Sequence, residues 1–197
     1  QYAMSHEAIP YLTYNIASIV KAALGRSKKC LVLDLDNTLW GGVIGDDGID
    51  GISLGSETPM ADAYLSFQKY IKRLQERGII LAICSKNEYE NALLGLSHPD
   101  SQLKKDDFAI IVANWEPKSK NIQTIAKTLN IGLDSLVFVD DNPAEREIVL
   151  QQLPMVAVPD IGSDVVHYTN VIDKALFYET ISLSVDDLKR NSTYQEN

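Results

Sequence analysis

The sequence predicts an α/β domain built on a mainly parallel sheet. Short apolar runs alternate along the chain with segments whose apolar residues recur at helical spacing. Several of these apolar runs end directly in carboxylate, hydroxyl or thiol side chains. In parallel sheets the carboxyl ends of the strands lie along one edge, and ligands bind there. The polar residues that follow the strands are therefore the candidate site.

The composition limits the classes of protein to be considered. The 197 residues are enough for one well-buried domain and short for two, and 45% are hydrophobic. A net charge of −9 and a pI of about 4.8 argue against non-specific binding to nucleic acid or to an acidic membrane. No apolar run reaches membrane-spanning length, and no signal peptide opens the chain. Two cysteines form no disulfide framework, so a reducing cytoplasm is the expected location.

The first third of the chain gives three predicted elements. Residues 7–24 carry apolar residues at helical spacing and are expected to pack on the body or to connect to an upstream domain. Residues 31–33 form a buried strand, and the glycine-dense stretch 41–55 predicts a hairpin flap. A helix begins with Thr58 as N-cap and ends before Gly78.

The remaining chain repeats the alternation of strands and helices. The predicted strands are 79–83, 108–112, 136–139 and 155–158. The predicted helices are 88–96, 119–129, 164–178 and 184–190. A further helix is predicted to begin at Asn142 and Pro143. Three parts are expected: an N-terminal helix or connector over 1–27, a catalytic domain over 28–180, and a C-terminal helix with a frayed tail over 181–197. The chain begins with Gln1, as a piece of a longer protein would.

Pairs of carboxylates follow two of the strands. Asp34 and Asp36 come after the first strand, and Asp140 and Asp141 come after the strand at 136–139. Carboxylates this close at the end of an apolar strand either share a proton or hold a cation. A hard cation that takes oxygen ligands neutralises such carboxylates at the lowest free-energy cost, and Mg²⁺ accepts carboxylates together with phosphate oxygens. The pattern therefore predicts a site for a metal ion and a phosphate group.

The polar residues together resemble the haloacid dehalogenase (HAD) superfamily of phosphoryl-transfer enzymes. The resemblance is carried by Asp34-x-Asp36-x-Thr38, by Ser85 after the second strand, by Lys118 before a helix, and by the later pair of aspartates. More narrowly, the stretches 34–48, 83–87, 115–122 and 139–147 resemble the FkbH-type branch. The resemblance covers roughly residues 28–180 and implies a Rossmann-like, doubly wound sheet.

The superfamily resemblance also implies roles for the residues of the first strand and the last pair. Asp34 is the expected nucleophile, which forms an aspartyl-phosphate, and Asp36 the general acid and base. The backbone carbonyl of Asp36, rather than its carboxylate, is expected at the metal. Thr38 fixes the loop. Asp141 is the preferred remaining ligand of Mg²⁺, and Asp140 is an orienting neighbour or an alternative ligand.

The implied phosphate and substrate contacts come from the other strand ends. Ser85 is expected to hold a phosphate oxygen with help from backbone N–H groups of the following helix, and Lys86 and Asn87 of the same motif to contact substrate. Lys118 offsets the charge of the nucleophile and of the phosphoryl group, with Lys120 as the second choice for this role.

Cys84 separates the narrower interpretation from the broader one. A cysteine that ends an apolar strand is commonly a buried small hydrophobic residue, which is also the interpretation of Cys30. In FkbH-type proteins a cysteine at this place is thought to carry an acyl group, and the nearby helix N-terminus and Lys86 are expected to lower the pKa of the thiol. The resemblance implies that the Cys84 thiolate attacks 1,3-bisphosphoglycerate and that Asp34-centred chemistry removes the remaining phosphate. The glyceryl group then passes to an acyl carrier protein.

Three functions remain open from the sequence. The first is this Mg²⁺-dependent phosphoryl and glyceryl transfer, and the second is a phosphatase of a small phosphorylated substrate in which Cys84 is structural. The third is a module that docks a carrier protein or a sister domain without turnover. No large insertion separates the strands, so the cleft is expected to lack a capping domain. Trp40 and Trp115 lie near motifs and are expected either to pack in the core or to floor the cleft.

Overall fold

The sheet consists of four parallel strands that run through the centre of the domain. The computed structural model describes residues 5–180, and the predicted helix at 184–190 lies outside that range. The strands are β1 (Cys30–Leu33), β2 (Ile80–Ser85), β3 (Ile110–Ala113) and β4 (Leu136–Val139), in the order β3-β2-β1-β4. Leu33 pairs with Ile83 on one side and with Val139 on the other, so β1 and β4 end at the same level and β2 extends two residues further.

Seven α-helices surround the sheet within residues 5–180. They are α1 (Ile9–Ala23), α2 (Ile44–Asp47), α3 (Pro59–Glu76), α4 (Tyr89–Leu96), α5 (Lys118–Thr128), α6 (Pro143–Gln152) and α7 (Tyr168–Lys174). Four short 3₁₀ helices occur at His6–Ala8, Lys105–Asp107, Leu133–Ser135 and Val165–His167. As predicted, α3 begins with the Thr58 hydroxyl accepting from the backbone N–H of Ala61.

Both faces of the sheet are buried. Side chains of successive residues in a strand point to opposite faces, so each strand contributes to two hydrophobic clusters. Leu31 and Leu33 of β1 belong to a hydrophobic cluster that includes apolar residues of α3, α4 and α7. Cys30 and Val32 belong to a second cluster with apolar residues of α5 and α6. Helices therefore cover the sheet on both faces, and the predicted doubly wound α/β fold is confirmed.

Two predicted elements take a different form in the structure. The fifth strand at 155–158 is reduced to one parallel bridge between Val137 and Ala157. The flap is closed by one antiparallel bridge between Gly41 and Ser53, and inside it the chain forms α2 instead of two strands. The Asp47 carboxylate accepts from the Val43 N–H at 2.7 Å, which favours this single helical turn over an extended strand.

Within residues 5–180, no segment between two strands contains more than two α-helices. Between β1 and β2 the chain forms α2 and α3, and between β2 and β3 it forms α4 and the 3₁₀ helix Lys105–Asp107. None of the helices in residues 5–180 is long and apolar enough to span a membrane. The predicted N-terminal helix α1 leaves most of its apolar residues exposed, and it reaches the body through the Tyr14 hydroxyl, which donates to the Ala175 carbonyl at 2.6 Å.

Candidate active site

The carboxyl ends of β1, β2 and β4 open into one cleft of about 200 Å³. The loop after each strand contributes to it, as the sequence predicts. The side chains that line it are Asp34, Asp36, Asn37, Ser85, Lys86, Lys118, Asp141, Asn142 and Glu145. Every residue of this group except Asn37, Asn142 and Glu145 was a predicted site residue.

Three aspartates in this cleft are placed to share a cation. Asp34, Asp140 and Asp141 each offer one carboxylate oxygen, and these oxygens lie within 4.8 Å of one another. The Oδ1 atom of Asp34 is buried and accepts no hydrogen bond from any of residues 5–180. A buried carboxylate oxygen without a partner is costly, and a divalent cation among three carboxylates would compensate it. The residues present therefore fit a hard divalent metal ion.

The β1–β4 pairing brings these aspartates together. The backbone N–H of Asp34 donates to the carbonyl of Val139 at 3.0 Å, which extends the pairing one residue beyond β1. The Thr38 hydroxyl accepts from the backbone N–H of Asp141 at 3.2 Å and also lies 3.4 Å from its carboxylate. Thr38 thus joins the loop after β1 to the loop after β4.

Lys118 is the buried cation of the site. Its Nζ lies 2.9 Å from Oδ2 of Asp34 and 2.5 Å from Oδ2 of Asp140, and only 3% of the side chain is exposed. Burial by itself favours the neutral amine, but the charges of both carboxylates outweigh it and raise the pKa of Lys118. Lys120, the second choice from the sequence, instead pairs with Glu116 on the surface.

Asp140 and Asp141 differ in their surroundings. Asp140 is fully buried, and burial together with the charge of Asp34 raises its pKa to about 6, although Lys118 opposes the shift. Asp141 is half-buried and lines the cleft, and its pKa is also raised by burial and by Asp34. Asp141 is therefore the more accessible ligand, and Asp140 is more strongly engaged with Lys118.

The Asp36 carboxylate is held by its own set of donors, apart from the three clustered aspartates. Its Oδ1 accepts from the indole N–H of Trp40 at 2.9 Å and from the backbone N–H of Ile44 at 3.0 Å. Its Oδ2 accepts from the side-chain amide of Asn87 at 2.9 Å. Burial is the main cause of a raised pKa for Asp36, and the hydrogen bonds from Ile44 and Trp40 partly offset it. A carboxyl group with a raised pKa that lines the cleft is suited to donate a proton.

The predicted substrate residues of the second strand lie at different places. Ser85 is buried and lines the cleft, whereas Asn87 is buried behind Asp36 and contacts it directly. Lys86 lines the cleft and its Nζ lies 2.5 Å from the Glu145 carboxylate. Asn87 is thus placed to orient the Asp36 carboxyl group, while Ser85 and Lys86 line the cleft in which a ligand would bind.

Cys84 does not line the cleft. Its side chain is fully buried, and its Sγ lies 3.7 Å from the carbonyl oxygen of Lys118. The expectation of a lowered thiol pKa is wrong, because burial raises the pKa of Cys84 to about 12 and the Lys118 charge only partly opposes it. Cys30 is also fully buried, in agreement with its interpretation as core.

The two tryptophans differ in their environments. Trp40 is fully buried in the core and donates a hydrogen bond to Asp36, and it does not line the cleft. Trp115 is 68% exposed, donates to Glu88 at 2.7 Å, and does not line the cleft.

Arg146 is a site residue that the sequence reasoning missed. Its Nη1 donates at 2.8 Å to the backbone carbonyls of both Asp140 and Asp141, and its Nη2 donates to Asp160 at 2.7 Å. It thereby fixes the loop that carries two of the three clustered carboxylates. In the sequence it stands between Glu145 and Glu147, where it is typical of an exposed helix face, and its burial was the missing signal.

The chain matches no family model and no curated protein. It is similar to the crystal structure of the N-terminal part of the protein BF1531 from Bacteroides fragilis, which contains a phosphatase domain complexed with Mg. The two share 46% sequence identity with a TM-score of 0.88, over 91% of this chain and 48% of that chain. This chain thus spans about half the length of the structure that it matches.

A weaker likeness is found with a HAD-superfamily hydrolase of subfamily IA from Geobacter sulfurreducens PCA. The identity is 14% and the TM-score 0.45, over 68% of this chain and 88% of that chain, which is too little to carry an argument. The similarity to the Bacteroides fragilis protein is sufficient to compare folds. The described residues share the fold of that structure, an α/β fold with the parallel, Rossmann-like sheet that the sequence predicts.

Proposed function

We propose that this domain is a Mg²⁺-dependent phosphatase of the HAD superfamily that acts on phosphomonoesters through Asp34. The observation that carries the proposal is the state of the Asp34 carboxylate. One of its oxygens pairs with Lys118 at 2.9 Å, while the other is buried beside Asp140 and Asp141 with no hydrogen-bond partner in the described part of the chain. The similarity to a phosphatase domain complexed with Mg supports the same function.

The proposed reaction uses two carboxylates in different roles. A carboxylate oxygen of Asp34 attacks phosphorus, the bond from phosphorus to the ester oxygen breaks, and an aspartyl-phosphate forms. Asp36 gives its proton to the departing ester oxygen, for which its raised pKa suits it. Asp36 then takes a proton from a water molecule that attacks the aspartyl-phosphate, which releases inorganic phosphate and restores Asp34.

The other residues of the cleft bind and balance charge. Asp34, Asp140 and Asp141 would hold Mg²⁺, which when bound supplies positive charge to the phosphoryl oxygens. Lys118 keeps the carboxylate of Asp34 in place and offsets part of the negative charge. Ser85, at the end of β2, is placed to donate its hydroxyl to a phosphate oxygen.

Removal of divalent metal is expected to abolish phosphate release. Without a cation, the phosphate dianion would enter a cleft whose carboxylates Lys118 balances only in part. The measurement is phosphate release from p-nitrophenyl phosphate with Mg²⁺, with EDTA, and with EDTA followed by excess Mg²⁺. Activity that survives EDTA unchanged would contradict the proposed role of the metal, and no release under any condition would favour a docking module without turnover.

Glyceryl transfer through Cys84 is a second candidate, because the FkbH-type motifs extend through this residue and the charge of Lys118 acts to lower the pKa of its thiol. In this candidate the thiolate attacks the acyl-phosphate carbon of 1,3-bisphosphoglycerate and inorganic phosphate leaves, which gives a phosphoglyceryl thioester. Asp34-centred chemistry then removes the remaining phosphate, and the thiol of an acyl carrier protein takes the glyceryl group and releases the Cys84 thiol. Full burial and the raised pKa of the thiol count against it, and acylation would require the end of β2 to open.

A Cys84→Ala substitution is expected to leave Asp34-dependent phosphate release within about twofold of wild type, because the thiol does not reach the cleft. The same protein tests the second candidate when wild type and variant are incubated with 1,3-bisphosphoglycerate and Mg²⁺ and their intact masses are measured. An adduct of glyceryl or phosphoglyceryl mass on wild type alone would establish Cys84 as an acyl carrier. Unchanged masses together with normal phosphate release would support a phosphatase in which Cys84 is structural.

A further inference from the structure

Two lysines line the cleft, and they are engaged very differently. Lys118 is buried and lies within 3 Å of two carboxylates, Asp34 and Asp140, so its charge is used inside the site. The side chain of Lys86 is 37% exposed and touches one carboxylate, that of Glu145. Lys86 is therefore the lysine of the cleft that an incoming ligand can reach from solvent.

Glu145 holds the Lys86 ammonium at the cleft without using all of its donors. An ammonium has three N–H donors, and the contact between Nζ and Glu145 at 2.5 Å accounts for one of them. Glu145 is itself well fixed, since it lies in the first turn of α6 and its side chain is 13% exposed. Within residues 5–180 the other two donors of the ammonium have no partner, so the pair holds a cation with available donors at the wall of the cleft.

Lys86 shares the cleft with the residues proposed to act on the two sides of the bond that breaks. Ser85 is the proposed ligand of the phosphoryl group, and Asp36, which Asn87 binds, is the proposed proton donor to the oxygen of the leaving group. Lys86 lines the same cleft and is partly exposed to solvent, so it is available to the portion of a substrate that extends outward from the leaving-group oxygen.

We propose that Lys86, held by Glu145, binds a second anionic group on the leaving-group portion of the substrate. The preferred substrates are then phosphomonoesters that carry a carboxylate or a further phosphate, rather than neutral ones. This inference rests on the proposed phosphatase function, because it takes the phosphoryl position from that proposal. Glu145 is a positioning residue in it, and Lys86 contacts the substrate.

The test compares two non-hydrolysable ligands of equal length, 3-phosphonopropionate and propylphosphonate, which differ in one carboxylate. Their dissociation constants are measured by calorimetry with Mg²⁺ on wild type, Lys86→Met, Lys86→Arg and Lys120→Met. Wild type is expected to bind 3-phosphonopropionate about tenfold more tightly, as one charge-assisted hydrogen bond at a partly exposed site provides. Lys86→Met is expected to lose this preference while its affinity for propylphosphonate changes less than twofold.

The other two variants serve as controls. Lys86→Arg keeps the charge and is expected to restore most of the preference. Lys120→Met removes an equally charged lysine that pairs with Glu116 outside the cleft, and it is expected to behave as wild type. Equal binding of the two ligands by wild type, an unchanged preference in Lys86→Met, or binding of neither ligand would overturn the inference.

A different measurement decides whether the domain is a phosphatase. Asp34-dependent release of phosphate from p-nitrophenyl phosphate, which has no second anionic group, decides that proposal whatever the calorimetry shows. Loss of the preference in Lys86→Met, together with Asp34-dependent hydrolysis of p-nitrophenyl phosphate by the wild type, would support both proposals. Hydrolysis without any preference would leave the phosphatase and remove the role of Lys86.

Discussion

Asp34→Asn is expected to lower phosphate release by at least about a thousandfold, since the amide is a poor nucleophile and cannot form the aspartyl-phosphate. The fold is expected to persist, because Lys118 keeps its contact with Asp140 at 2.5 Å. The measurement is the rate of phosphate release at saturating Mg²⁺, together with the melting temperature of the variant.

Asp50→Asn is a matched control, because it makes the same change at an exposed aspartate outside the cleft. It is expected to keep full activity. If Asp34→Asn retained a tenth or more of the wild-type rate with a normal melting temperature, Asp34 would not be the nucleophile. The proposed reaction would then have to be abandoned in favour of direct attack by water.

Lys118→Met is expected to have the largest effect on stability, a loss of about 3 to 5 kcal/mol in the free energy of unfolding. The substitution leaves Asp34 and the fully buried Asp140 without their shared cation, while a methionine of similar length fills the space. Urea unfolding in EDTA measures the loss. Mg²⁺ is expected to restore part of the lost stability, because a bound ion would replace the missing positive charge beside the carboxylates.

A second substitution separates the charge effect from a packing defect. In the Lys118→Met protein, Asp140→Asn removes one of the two facing charges and is expected to regain at least about 1 kcal/mol. Lys120→Met, on the surface, is expected to change stability by less than about 0.5 kcal/mol. A double variant no more stable than Lys118→Met would show that Lys118 acts through packing, for instance on the Phe138 ring at 5.9 Å.

The convergence of the aspartates could be predicted from the sequence because it depends on local pattern and on topology. An apolar run that ends in Asp34, and a second that ends in Asp140 and Asp141, must meet at one edge once the strands are parallel neighbours. The positions of Thr38 and Lys118 beside the aspartates follow from the same geometry. The depth of each side chain was less predictable, since depth depends on how the helices cover the strand ends.

Cys84 and Arg146 illustrate this second kind of feature. Position alone placed Cys84 near a helix N-terminus and suggested a reactive thiol, but the residues of α5 cover it and burial raises its pKa. Arg146 is flanked by glutamates in the sequence, and only the path of the chain to Asp160 shows that it is buried against the aspartate loop. Both outcomes depend on contacts between segments distant in the chain.

The three donors on Asp36 couple the proposed proton transfer to distant parts of the domain. Ile44 belongs to the flap, Asn87 follows β2, and Trp40 packs so closely against α4 that a Cβ on Gly95 would lie 2.4 Å from the indole ring. The acid consequently has little rotational freedom of its own, and the entropic cost of orienting it is met when the domain folds. A change that loosens the flap or shifts α4 would disturb proton delivery first and phosphate binding second.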